Sequence, residues 1–206
     1  MATATYAGLS RADLLAGGGK SAVLLLAGSA LGGLAAPATA AAARPSDADL
    51  AYARLLVAVE LLTLDFYGKA VGSKRFDGGV LRELRLARAD ERRHYEASAA
   101  ILTSVNQVPA TAADIDFTYP TGSFVSRASI VRLGIRLESL ALGAYLGAVD
   151  GYEVGPYRQR AAQAAANEAQ HLSVLSAAVG GRRIGAAFPV ALSIDRVSNT
   201  LDRYTS

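Results

Sequence analysis

The chain has two histidines, and each stands three residues after a glutamate: Glu91-Arg92-Arg93-His94 and Glu168-Ala169-Gln170-His171. On a helix that spacing puts carboxylate and imidazole on one face, one turn apart. Carboxylate and imidazole donors together suit a divalent cation such as iron(II) or manganese(II) better than a soft metal. Two more glutamates keep matching separations. Glu60 precedes Glu91 by 31 residues, and Glu138 precedes Glu168 by 30. From Glu60 to Glu138 is 78 residues and from Glu91 to Glu168 is 77, so the chain reads as a weak duplication of one helical hairpin. Tyr67 follows Glu60 by seven residues and Tyr145 follows Glu138 by seven, which places each tyrosine two turns along the same face.

The elements that must carry these residues are four long helices. Apolar residues recur at three- and four-residue steps over about 47–71, 80–105, 127–149 and 156–179. Ser46 suits the N-cap of the first, Pro156 the first turn of the fourth, and Gly180-Gly181 its end. Pro109, Pro120 and Gly122 break the chain for about twenty residues between the second and third. A short helical stretch is expected near 195–204, and no period-two alternation runs long enough for a sheet. The predicted fold is therefore all-α, an up-down-down-up four-helix bundle with one long crossover between helices 2 and 3 and a short C-terminal helix. Glu60, Glu91, His94, Glu138, Glu168 and His171 fall on stripes otherwise made of Leu, Ala, Ile and Val. Four carboxylates in one core repel one another and lose hydration, and a bound cation is the simplest way to neutralise them. Glu83, Glu96 and Glu153 lack this placement and read as surface, as does the arginine run Arg82, Arg85, Arg88, Arg92 and Arg93.

Over about 47–179 the pattern resembles the ferritin-like superfamily of di-iron carboxylate proteins, in which two helices each give a Glu and two give a Glu-x-x-His. The resemblance implies a metal set in which Glu60 and His94 cap one ion, Glu138 and His171 cap the other, and Glu91 and Glu168 bridge. It implies two iron ions, with manganese as the other choice. It also sets Tyr67 and Tyr145 beside the metals as candidate catalytic side chains, donors of an electron or proton to reduced oxygen. Asp90 and Asn167, each preceding a bridging glutamate, would accept hydrogen bonds from the free ring nitrogens of His171 and His94 respectively. The expected activity is oxidation of Fe(II) by O₂ or peroxide. A peroxide-consuming manganese enzyme, an organic-substrate oxidase and a bundle merely braced by metal are the alternatives. The crossover aromatics Phe117, Tyr119 and Phe124 would lid a pocket or pack on a partner.

Composition narrows the rest. The 206 residues include no cysteine and no tryptophan, which removes disulfides, zinc ribbons, Fe–S clusters and thiol catalysis. The net charge of +3 is scattered, so no nucleic-acid partner is expected. Gly19-Lys20-Ser21 matches the end of a phosphate loop whose first glycine is Leu14 here. Residues 21–43 carry no charge, Arg11 and Lys20 precede them, and Ala38-Thr39-Ala40 fits a cleavage site. Residues 1–43 thus read as an export signal, with the bundle over 44–180 and a tail over 181–206. Ser10-Arg11-Ala12 is a twin-arginine signature lacking its second arginine. An exported chain without a stable membrane span after cleavage is expected, an uncleaved anchor being the alternative. A monomer or homodimer is expected rather than a shell.

Overall fold

The structure is a computed structural model, and it describes residues 44–181 and 185–205. The export signal expected over 1–43 lies outside the described residues. Five helices are present among them: α1 (Asp47–Gly72), α2 (Gly78–Thr103), α3 (Arg127–Gly151), α4 (Gly155–Ala178) and α5 (Ile194–Leu201).

Local sequence explains most of the boundaries. Ser46 and Asp49 form a reciprocal capping box at the start of α1, and Ser126 and Ser129 form another at α3. Pro156 sits in the first turn of α4, where its missing N–H costs nothing. After the end of α4, Gly180 takes a left-handed φ of 72°, a conformation glycine adopts without a Cβ penalty.

The helix directions follow from three contacts. At the beginning of α1, Asp49 accepts hydrogen bonds from Glu153 and Val154, in the turn that leaves α3. Just past the end of α1, Arg75 donates to the carbonyl of Phe124, just before α3 (3.2 Å). Helices α1 and α3 therefore run antiparallel. The pairs α1/α2 and α3/α4 are hairpins, so α2 and α3 point the same way and the crossover must travel the length of the bundle. It does so along α1, from Gln107 against Arg54 (2.8 Å) to Phe124 against Arg75.

The crossover aromatics pack on their own bundle. Tyr119 donates to Asp65 Oδ2 (2.8 Å) and stacks edge-on against Phe124, and Tyr204 lies beside it at 5.9 Å. Thr118 N–H donates to the Tyr204 carbonyl (2.7 Å), and Phe117 forms a bridge with Thr205. The tail after α4 is strapped onto α3, where Leu192 N–H donates to the Gly143 carbonyl (2.8 Å). A methyl group at Gly147 would collide with the Leu192 carbonyl, so that close approach needs glycine.

Asp49 is fully buried and holds two ends of the bundle together. Burial alone would raise its pKa, but hydrogen bonds from the Ser46, Glu153 and Val154 amides outweigh this and lower it. Replacing Asp49 by alanine removes the cap and strands buried amide donors. The expected loss is about 2–3 kcal/mol in urea unfolding. A loss below about 0.5 kcal/mol would show that the clamp is not needed.

Candidate metal centre

Each long helix delivers part of one cluster. Glu60 comes from α1, Glu91 and His94 from α2, Glu138 from α3, and Glu168 and His171 from α4. The i, i+3 spacing within α2 and α4 stacks each imidazole one turn above its carboxylate. Packing of the two hairpins then brings the four faces together. All four glutamates are 0% exposed, which no unpaired carboxylate tolerates.

The cluster divides into two overlapping groups. Glu60, Glu91, His94 and Glu168 offer ligand atoms within 4.8 Å of one another, and so do Glu91, Glu138, Glu168 and His171. Glu91 and Glu168 belong to both. Both imidazoles present Nδ1 to the centre. His94 Nδ1 lies 2.9 Å from Glu168 Oε1 and 3.6 Å from Glu91 Oε2. His171 Nδ1 lies 3.0 Å from Glu91 Oε1, 3.2 Å from Glu168 Oε2 and 3.6 Å from Glu138 Oε2. Every one of the four glutamates keeps at least one buried oxygen with no hydrogen bond of good geometry. Orphaned acceptors converging on one point fit a set of cation ligands.

The electrostatics describe how the cluster survives without a cation. Burial, then the charges of Glu91 and Glu168, push Glu60 and Glu138 far above the usual carboxylate range. Burial would raise Glu91 too, but its close contacts with His171 and His94 prevail and hold it at about 2. Burial would lower His94, yet its contacts with Glu168 and Glu91 lift it to about 9. His171 is raised further still, by Glu138, Glu168 and Glu91 against the opposing effect of burial. The cluster thus favours charged histidines, and burial and neighbouring charge favour the protonated forms of Glu60 and Glu138.

The two tyrosines flank the cluster differently. The Tyr67 hydroxyl donates to Glu138 Oε1, and its ring meets His171 edge-on at 6.2 Å. Tyr145 stands against His94 at 5.7 Å, and its buried hydroxyl lies beside Glu60 without a hydrogen bond of good geometry. Of the pair expected behind the histidines, Asp90 Oδ2 lies 3.7 Å from His171 Nε2, beyond direct hydrogen-bond range, while Asp90 Oδ1 accepts from Arg93 (2.8 Å). Asn167 lies between the helices near both histidines and makes no hydrogen bond to His94 among the described residues. One neighbour escaped the sequence reading. Buried Thr63 donates to the Glu60 carbonyl (3.0 Å) and also reaches Glu60 Oε2 at 3.5 Å. A threonine three residues past a ligand position was its only signal.

Glu83, Glu96, Glu153 and the five arginines of α2 are exposed, as expected of a solvated face. No helix among the described residues is long and apolar enough to cross a membrane. No curated protein matches the chain. The family described as "Ferritin-like domain" matches residues 48–181. That span holds α1 to α4 and all six clustered Glu and His residues, and the chain belongs to the ferritin-like domain family.

Proposed function

We propose that this chain is exported, holds two iron or manganese ions in the buried cluster, and oxidises Fe(II) with O₂ or peroxide. The observation that carries the reading is the pair of overlapping ligand groups sharing Glu91 and Glu168. Such sharing would let two ions be held side by side, each with a terminal carboxylate and an imidazole of its own. Glu60 and His94 would hold one ion, Glu138 and His171 the other. Iron(II) as substrate would supply the electrons: two Fe²⁺, O₂ and two protons give two Fe³⁺ and H₂O₂.

The protein's own groups manage protons and access. Glu60 and Glu138 give up protons as ions enter, because a ligating carboxylate must be ionised. Burial, and then the neighbouring charges of Glu138 and Glu60, keep Tyr67 and Tyr145 protonated far above the usual phenol range. Both phenols therefore remain proton donors at the edge of the cluster. The uncharged segment after Arg11 and Lys20 supports export.

The test is anaerobic loading of purified chain with Fe(II), followed by rapid mixing with O₂ and separately with H₂O₂. About two Fe(II) per chain oxidised much faster than in buffer supports the proposal. Oxidation at the buffer rate would reduce the centre to a brace for the bundle. Manganese in the protein as isolated, with rapid H₂O₂ loss, would favour peroxide consumption.

A further inference from the structure

Helices α2 and α4 make the fewest contacts of any adjacent pair in the bundle. Beside the cluster they leave two clefts of unequal size. The one at Tyr67 and His171 has a volume of about 200 Å³, and the one at His94 and Tyr145 about 390 Å³. The larger cleft falls in the range that encloses small organic ligands.

This larger cleft is polarised along its length. Its inner end is formed by Asp90, His94, Asn167 and Tyr145, and its outer end by Ile101, Tyr157 and Arg160. Seven residues separate His94 from Ile101 on α2 and Arg160 from Asn167 on α4, so the cleft is roughly 10 Å long. Between the ends the walls are mostly apolar, from Leu56, Ala97, Ala161 and Ala164, with Ser98 and Gln163 interspersed. At the outer end Tyr152 and Tyr157 meet edge-on with ring centres 5.8 Å apart.

Two polar groups there are incompletely paired. Arg158 is held by the Tyr152 carbonyl (2.7 and 3.2 Å), whereas Arg160 has no hydrogen bond or ion pair among the described residues. Tyr145 is 3% exposed and its hydroxyl sits beside Glu60 without a hydrogen bond of good geometry, whereas Tyr67 at the related position donates to Glu138. A buried hydroxyl whose bonding is incomplete gains from a bound partner. Asp90 is paired with Arg93 at the inner end, so Arg160 is the charge in this cleft left unpaired among the described residues, and an anionic group belongs there.

We propose that this cleft binds a small aromatic carboxylate about 10 Å long. Its carboxylate pairs with Arg160, its ring lies between the alanine walls against Tyr157, and its far end meets Tyr145 beside the metal cluster. The proposal rests on the metal reading only for what lies next to that far end; binding itself needs only the walls of the cleft.

The test uses 3-phenylpropionate as probe, its neutral amide as comparison, and calorimetric titration of purified chain whose metal content is measured in the same sample. The acid is expected to bind at least ten-fold more tightly than the amide. Arg160→Gln should erase that preference, and Ala97→Phe should abolish binding of both probes, with parental metal content and melting temperature in each variant. Equal binding of acid and amide to the parent chain, or undiminished binding to Ala97→Phe, would overturn the proposal. A chain that holds metal but binds neither probe defeats the cleft and leaves the proposed centre standing. A chain that binds the acid as described but never takes metal defeats the proposed centre and leaves the cleft.

Discussion

Replacing Glu91 and Glu168 together by alanine is expected to cut bound iron or manganese from about two ions per chain to background. Each of these residues contributes to both groups of ligand atoms, so no two-ion arrangement survives their loss. Truncating a terminal glutamate acts differently. Glu60 belongs to one group only, so Glu60→Gln should weaken one ion and spare the other. The metal-free stabilities should separate the same residues by another route. Burial and the charges of Glu91 and Glu168 favour the protonated form of Glu60, so the neutral glutamine resembles that form and should change stability little. Glu91 is ionised between two imidazoliums with its pKa held at about 2. Losing that charge in Glu91→Gln should cost about 3 kcal/mol. Elemental analysis and urea unfolding of the metal-free variants check both statements. Full metal retention in the double variant would remove the bridging role from both glutamates.

The second large effect is an inversion of pH dependence by metal. His94 has its pKa raised to about 9, so its contribution is complete below the unfolded value of 6.5 and disappears as pH rises through 9. That span corresponds to about 3 kcal/mol. His171 is raised as well and acts in the same direction. Glu60 and Glu138, raised above the ordinary 4.5, also lose stability as the pH climbs, because the unfolded chain ionises first. Glu91 is lowered and works the other way: its contribution is present above 4.5 and lost as pH falls through about 2. Metal-free chain should therefore melt at lower temperature as pH rises from 6.5 to 9. Metal-loaded chain should not, because ions require deprotonated ligands and bind more tightly at higher pH. These groups release protons when they ligate, because burial and neighbouring charge favour protonated Glu60 and Glu138 and the carboxylates favour charged His94 and His171. Loading near neutral pH should release at least two protons per chain, measured by calorimetry in buffers of different ionisation enthalpy. Fewer than two protons, or a metal-free melting temperature that rises toward pH 9, would contradict this electrostatic account.

The six clustered residues were legible early because helical periodicity is local. A Glu three residues before a His shares its face on any helix, so position along the chain already implied position on a surface. The helix limits were legible for a similar reason, since capping serines, prolines and terminal glycines act within one turn. The tie between Asp49 and Glu153 was not, because it joins residues 104 apart through a single carboxylate. Nor was the destination of the crossover aromatics. Aromatic residues in a loop fit a lid as well as a strap, and the Asp65 carboxylate and Tyr204 decide for the strap.

By itself, then, the sequence determined the four helices, the face of each that carries charge, and the ligand chemistry those faces can offer. These follow from backbone periodicity and donor type, which are properties of short stretches. Only the tertiary structure decided that Glu91 and Glu168 are shared by both groups and that Tyr67 bonds Glu138 closely while Tyr145 meets Glu60 with poorer geometry. It also decided that α2 and α4 stand apart on the His94 side, with Arg160 at the outer end. Those outcomes depend on how far helices distant in sequence approach one another. That distance is set by the packing of all four together, not by the periodicity of any one.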